Sequence, residues 1–264
     1  MGFNPETFSL VWTTAATVYA FLIVLGTGLR RELVLKREHL IKVITMGVTT
    51  GAGMILIWSG LAQLDPSFAA FLMRFFPVLT ILLSAIFLHE KLSLVEIFPI
   101  GLMVLGGCIS ALGRWNIVGM GMVLILTSCL AGAVQMLMAK MKVSEIHPNV
   151  LVFYRVGIAD ITILLWILVT GKADFDVGMS YWGVTLLGAF LGPCASFLLT
   201  FRSYKYWYLS RSSMVRTAQP LFVLPLAYIF LHKLPEDKEL LGGFLILIGA
   251  FWIAWLHFRK RGNK

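Results

Sequence analysis

Charge is scarce in this chain. Only 13% of its 264 residues are Asp, Glu, Lys or Arg, while 59% are hydrophobic. Soluble domains average roughly 25% charged and 45–50% apolar residues. A soluble fold of this length could not hide so much apolar side chain from water. No long polar tract interrupts the pattern, so no soluble domain is expected beside the apolar one. Cysteine is scarce too. Cys108, Cys129 and Cys194 all fall inside apolar segments, at spacings that fit no zinc or redox motif, and read as small packing residues. The five histidines stand at the ends of apolar segments, which argues against a metal site, and no cofactor is expected. No Walker motif occurs, so the chain has no means of its own to hydrolyse ATP. The start lacks a basic flank and a small-residue cleavage site, so a cleaved leader is not expected.

What the chain does have is long hydrophobic runs. A bilayer core of ~30 Å takes about 20 apolar residues per helix. Nine segments meet that length: 8–28, 41–62, 67–88, 94–112, 117–139, 149–170, 181–200, 212–231 and 240–258. Fifteen of the 22 Lys and Arg residues fall in alternate connections, around residues 30–42, 91, 140–142, 202–211 and 259–264. Four, Arg114, Lys172, Lys233 and Lys238, fall in the opposite set, and Arg74, Arg155 and Arg216 lie within apolar segments. Positive loops stay cytoplasmic, which predicts a cytoplasmic C-terminus and a multi-pass protein of a bacterial inner membrane. The net charge of +9 is thereby a topology signal, and no nucleic acid partner is expected.

The chain also repeats itself. Ile86-Phe87-Leu88-His89 returns as Ile229-Phe230-Leu231-His232, a shift of 143 residues. The same shift carries Pro5 to Pro148, Thr27-Gly28 to Thr170-Gly171, Pro77 to Pro220, Glu96 to Glu239 and Gly106 to Gly249. An ungapped offset over most of a chain marks a duplicated structural unit. The expected fold is an all-α integral membrane protein of two helical repeats, residues 1–113 and 114–264. The first holds four helices and the second five. The second copy begins near Ile117, and its first helix has no counterpart after Met1, so the first repeat reads as lacking its N-terminal helix. A complete unit of five helices is odd, so the copies cross the membrane in opposite senses. Inverted repeats of this kind place a binding site at their seam and suit alternating access.

The segments 77–80, 86–92 and 101–107, with their second copies at 220–222, 229–234 and 242–249, resemble the EamA-type transporters of the drug/metabolite transporter superfamily. The resemblance covers nearly the whole chain. It implies ten helices in two inverted five-helix repeats, a small-molecule cargo and no enzymatic activity. It says little about which cargo. Two departures stand out: the first family helix is absent, and the acidic residue usual after the fourth helix of each repeat is kept as Glu90 but replaced by Lys233.

Charges within the bilayer are costly, ~2.5–3.5 kcal/mol each on insertion scales, and should face protein or water. Arg74, Arg155 and Arg216 read either as a cationic cavity for acid-bearing solutes or as snorkelling and salt-bridging groups. Asp160, the one acid deep in a segment, reads as a proton-coupling group or as the partner of an arginine on another helix; it stands ~140° around its own helix from Arg155. Gln135 and Thr127 are candidate polar contacts for cargo. Pro77 and Pro220 are expected to kink or unwind their helices. Gly47-xxx-Gly51 and Gly188-xxx-Gly192 read as close-packing faces.

These readings converge on a secondary transporter that moves a small organic metabolite by alternating access, with anionic or zwitterionic cargo favoured and a homodimer possible. The alternative is a non-transporting membrane subunit or an inactive truncated permease. An enzyme would need clustered acids or a nucleophile pair. Glu90 with His89, and Glu236 with Asp237, are the only candidates and fall on opposite sides of the membrane.

Overall fold

The computed structural model describes residues 3–64, 69, 72–73, 75–90, 95, 97–102, 105 and 119–216, with 241, 244–245, 248–249, 251–252 and 255. Arg74 and Pro220, and the second copies of most repeat motifs, lie outside the described residues. Among the described residues the regular structure is all helical. Helix α1 spans Pro5–Gly26, a 3₁₀ turn follows at Leu29–Leu33, and α2 spans Arg37–Leu61. Helix α3 is Phe75–Phe87, α4 is Met120–Lys142 and α5 is Pro148–Thr170. Helix α6 (Met179–Ala189) runs through a π turn (Phe190–Ser196) into α7 (Phe197–Tyr206), and α8 begins at Leu209 and is described to Arg216. Five of these stretches are long and apolar enough to cross a bilayer: 5–26, 37–61, 120–142, 148–170 and 179–206. Each corresponds to an apolar run of the sequence. They differ mainly at the ends that bear Arg37, Lys142 and Lys205, where helices continue past the apolar run into charged residues.

The repeat is legible in how its helices start and stop. Pro5 and Pro148 each open a helix in the first turn, where a missing N–H costs nothing. The residue before each caps it: Asn4 accepts from the Thr7 N–H at 2.7 Å, and His147 Nδ1 accepts from the Asn149 N–H at 3.2 Å. Gly28 and Gly171, 143 residues apart, take φ of 73° and 64° to end them. Only glycine enters that left-handed region without penalty.

Helices α1 and α5 are therefore equivalents, and they pack side by side in opposite directions. Asn4, at the start of α1, donates to the carbonyl of Lys172 at 2.7 Å just past the end of α5. The Asp174 N–H donates to the Thr7 hydroxyl at 2.8 Å. At the other end, the Asn149 amide reaches the Thr27 hydroxyl at 3.4 Å. Antiparallel equivalents are what an inverted duplication requires.

Each equivalent also carries a partner from the other copy. Helix α2 lies on α5 and α6 lies on α1. The small-residue faces make both contacts. A Cβ on Gly47 would stand 2.4 Å from Ile158 Cβ, and one on Gly51 would stand 2.8 Å from the Ala159 carbonyl oxygen. Gly188 and Gly192 receive the Trp12 ring, at 2.7 and 2.9 Å from their would-be Cβ atoms. Lipid supplies no hydrophobic drive between helices, so such close approach is what holds them. Trp12 is thus an interhelical wedge, although its type suggests a membrane-interface anchor.

The described basic connections, at 30–42, 140–145 and 202–211, gather at one end of the bundle. Tyr154 donates to the Leu33 carbonyl, tying the 3₁₀ turn to α5. Lys142 meets Glu145 at 2.5 Å, and His39 Nδ1 lies 3.2 Å from the same carboxylate. The Lys142 hydrogen bond holds the Glu145 carboxyl below its ordinary range.

Candidate functional site

The site grows from an irregularity in the 179–206 span. Pro193 sits where an unbroken α-helix would need its N–H, and its ring would meet the carbonyl one turn earlier. The chain widens into the π turn Phe190–Ser196 instead. Single π turns recur at functional positions. Here the Phe197 N–H bonds the Cys194 carbonyl, and the Pro193 carbonyl accepts a hydrogen bond from Arg155 Nη2 of α5. A side chain thus completes the backbone inside the bundle, as a dry interior demands.

Arg155 is almost fully buried, at 2% exposure. Its guanidinium carbon lies 3.5 Å from the centroid of Phe197, a cation–π contact. Its Nε has no hydrogen-bond partner. Arg216 of α8 approaches the same ring at 6.0 Å and the Phe76 ring at 5.8 Å. Its Nη1 points to the Met136 sulfur at 3.8 Å, which also accepts the Tyr204 hydroxyl at 3.1 Å. Two cations thus share one phenyl ring. Among the described residues, neither has a carboxylate within ion-pair distance. Like charges in a low dielectric repel, and each is costly to desolvate without a counter-ion.

The remaining candidates fall elsewhere. Asp160 finds its partners on α1: its Oδ1 accepts from the Thr14 hydroxyl at 2.7 Å and the Thr13 hydroxyl at 3.1 Å. It lies midway along the antiparallel α1–α5 pair and, among the described residues, forms no ion pair. Among the described residues its partners are these two hydroxyls on the neighbouring helix. Gln135 is buried at 5% exposure with an unpaired Nε2. Thr127 is exposed in a stripe with Met120, Val123 and Leu130, a lipid-like face apart from the arginines. Pro77 stands in the first turn of α3, where its N–H is not needed. A turn closed by Phe76 N–H to the Met73 carbonyl at 3.1 Å precedes it, and residues 69 and 72 on the far side of that turn are helical.

Glu90, an acid considered for catalysis, is fully engaged. It accepts from the N–H groups of Leu209 and Ser210 at 2.9 Å each and from the Ser210 hydroxyl. Among the described residues no group of three His, Cys, Asp or Glu could hold a metal. The convergence of Arg155 and Arg216 on Phe197 has no short sequence signature. The signals available were Arg155 and Arg216 themselves, as charges in apolar runs, and Pro193 within another such run.

The EamA-like transporter family matches residues 2–112 and 119–255. One solved protein structure superposes with a TM-score of 0.78 over 97% of this chain and 89% of its own, at 17% identity. That likeness is one of fold. No curated protein matches the chain.

Proposed function

Because the chain belongs to the EamA-like transporter family, and so is a multi-pass membrane transporter of small molecules and not an enzyme, we propose that its cargo is a small organic metabolite bearing an acidic group, anionic or zwitterionic. The observation that carries this reading is the pair Arg155 and Arg216 on one ring without an acidic partner among the described residues. An acid group entering there neutralises two cations at once. Charge-assisted bonds to guanidinium are short and directional, which fixes the cargo's orientation. Phe197, Phe76 and Met136 offer the apolar walls that cargo sites use.

The halves 1–113 and 114–264 rock about the α1–α5 axis in this reading, exposing the site to each side in turn. The basic end faces the cytoplasm of a bacterial cell by the positive-inside rule. The test is uptake into proteoliposomes of purified protein. Labelled monocarboxylates, amino acids, neutral sugars and organic cations serve as probes. Acid-bearing probes are expected to enter and to compete with one another. Uptake restricted to cations or sugars sinks the reading.

Asp160 supports a second element, coupling to protons. Asp160→Asn keeps an oxygen that accepts both threonine hydroxyls, so its stability is expected to change by less than ~1 kcal/mol. A coupled transporter would then lose its response to an imposed pH gradient while keeping exchange of cargo. An unchanged response in this variant makes Asp160 a structural group alone.

A further inference from the structure

The end of α3 and the start of α8 are joined by one side chain. After Phe87 the chain turns through His89, whose φ of 51° is left-handed and uncommon for a residue other than glycine. The Leu88 and Glu90 N–H groups both donate back to the Ser84 carbonyl, at 3.0 and 3.4 Å. This turn aims Glu90 at the first residues of α8. Its two oxygens take the Leu209 and Ser210 N–H groups and the Ser210 hydroxyl, and the residue is 8% exposed. A carboxylate on free N–H groups at a helix start is a strong, charge-assisted contact. It links the first repeat to the second at the basic end. Lys140 of α4 closes the same end by donating to the carbonyls of Tyr204 and Trp207.

The duplication makes this contact informative. The shift of 143 carries the Ile-Phe-Leu-His turn to 229–232, so the second copy should repeat the device at the opposite end. There the residue after the histidine is Lys233, and the matching targets are Pro66 and Ser67. These positions lie outside the described residues, but the chemistry of the types decides the point. An ammonium has three donors and no acceptor, so it cannot take backbone N–H groups. The duplication kept the Ile-Phe-Leu-His sequence and put a donor-only side chain where the carboxylate stands in the first copy.

We propose that Glu90 is a one-sided latch. Its grip on Leu209 and Ser210 holds the basic end of the bundle shut, and the repeat-equivalent position of the other end carries Lys233, which has no acceptor. The chain then rests closed toward the basic end, and the state open to that side is reached only by releasing three hydrogen bonds. The proposal rests on the transporter reading for its two states but not on the cargo's charge.

Electron–electron distance measurement tests it without cargo. Spin labels go on cysteines at Phe87 and Tyr206, which are 58% and 84% exposed. The three natural cysteines are replaced by serine and the protein is held in lipid nanodiscs. The unaltered latch is expected to give one dominant short distance. Ser210→Ala removes one bond, Glu90→Gln leaves a single acceptor oxygen and so loses at least one bond and the charge that strengthens the rest, and Glu90→Lys copies the second repeat. The separated population is expected to grow in that order, by about tenfold or more at Glu90→Lys. Exchange of the Leu209 and Ser210 amides should rise in parallel. Identical distances in all variants overturn the latch, whether or not acid uptake persists. If the Glu90 variants fail to fold, Ser210→Ala decides: a grown separated population supports the latch, and an unchanged one overturns it. Loss of acid-selective uptake with the distance series intact would sink the cargo reading alone.

Discussion

Arg155→Met is expected to abolish uptake of acid-bearing cargo while leaving the purified protein about as stable as before. Methionine approximates the volume of the arginine stem and fills the space over Phe197. The exchange removes a buried cation with an unpaired Nε and no carboxylate partner among the described residues. Replacing buried charge by apolar side chains of similar size is neutral or stabilising, by ~1–4 kcal/mol. Against that stands the Pro193 carbonyl, which loses its side-chain donor at a cost of about 1–3 kcal/mol. The two terms nearly offset, so the net change should stay within about 2 kcal/mol. Transport should respond differently. Losing a buried charge partner for the cargo's acid group costs ~2–5 kcal/mol, which is at least about thirtyfold in affinity. Thermal melting in detergent and proteoliposome uptake, measured on one preparation, separate the two effects. A variant that transports normally would make Arg155 a strut for the π turn and nothing more. Arg155→Lys keeps the charge but not the planar fork, and should fall between the two.

Gly51→Val is expected to break the bundle where Gly183→Ala does not. The first added carbon at Gly51 would stand 2.8 Å from both the Ala159 carbonyl oxygen and Thr162 Cβ. Neither is the far end of a flexible side chain, so α2 must move off α5. Overpacking costs typically ~1–3 kcal/mol, and Val adds two more carbons to an already impossible Cβ. Gly51→Ala should therefore lower the melting temperature, and Gly51→Val should abolish a monodisperse elution profile. At Gly183 of α6, an added Cβ meets nothing within 4 Å. Alanine there should raise helix stability, by as much as ~1 kcal/mol. Equal tolerance at both positions would mean that the α2–α5 seam is not the close contact described here.

Both predictions depend on features that differ in how far the chain announces them. Gly47 and Gly51 announce a seam, because only small residues at that spacing let helices touch. They do not announce that Ile158 and Ala159 are what they touch. Pro5, Gly28, Pro148 and Gly171 announce two helices with their starts and stops, because proline and glycine have local backbone consequences that need no neighbours. Asp160 announces a cost within the bilayer, and its hydroxyl partners Thr13 and Thr14 lie about 146 residues away in sequence. Glu90 read as the acid that follows the fourth helix of a repeat, and its engagement with Leu209 and Ser210 depends on bringing two repeats together.

Composition, run length and the 143-residue offset by themselves determined a membrane bundle of two copies in opposite senses. Those properties follow from the solvent and from chain arithmetic, which act on every residue regardless of fold. Tertiary structure alone decided which charges meet. Arg155 and Arg216 share Phe197 because a π turn around Pro193 and the descent of α8 bring them to one depth. Among the described residues Asp160 meets threonine hydroxyls, because it faces α1 and is turned around its helix from Arg155. Side-chain encounters of this kind are fixed by packing between distant segments, and no local pattern encodes them.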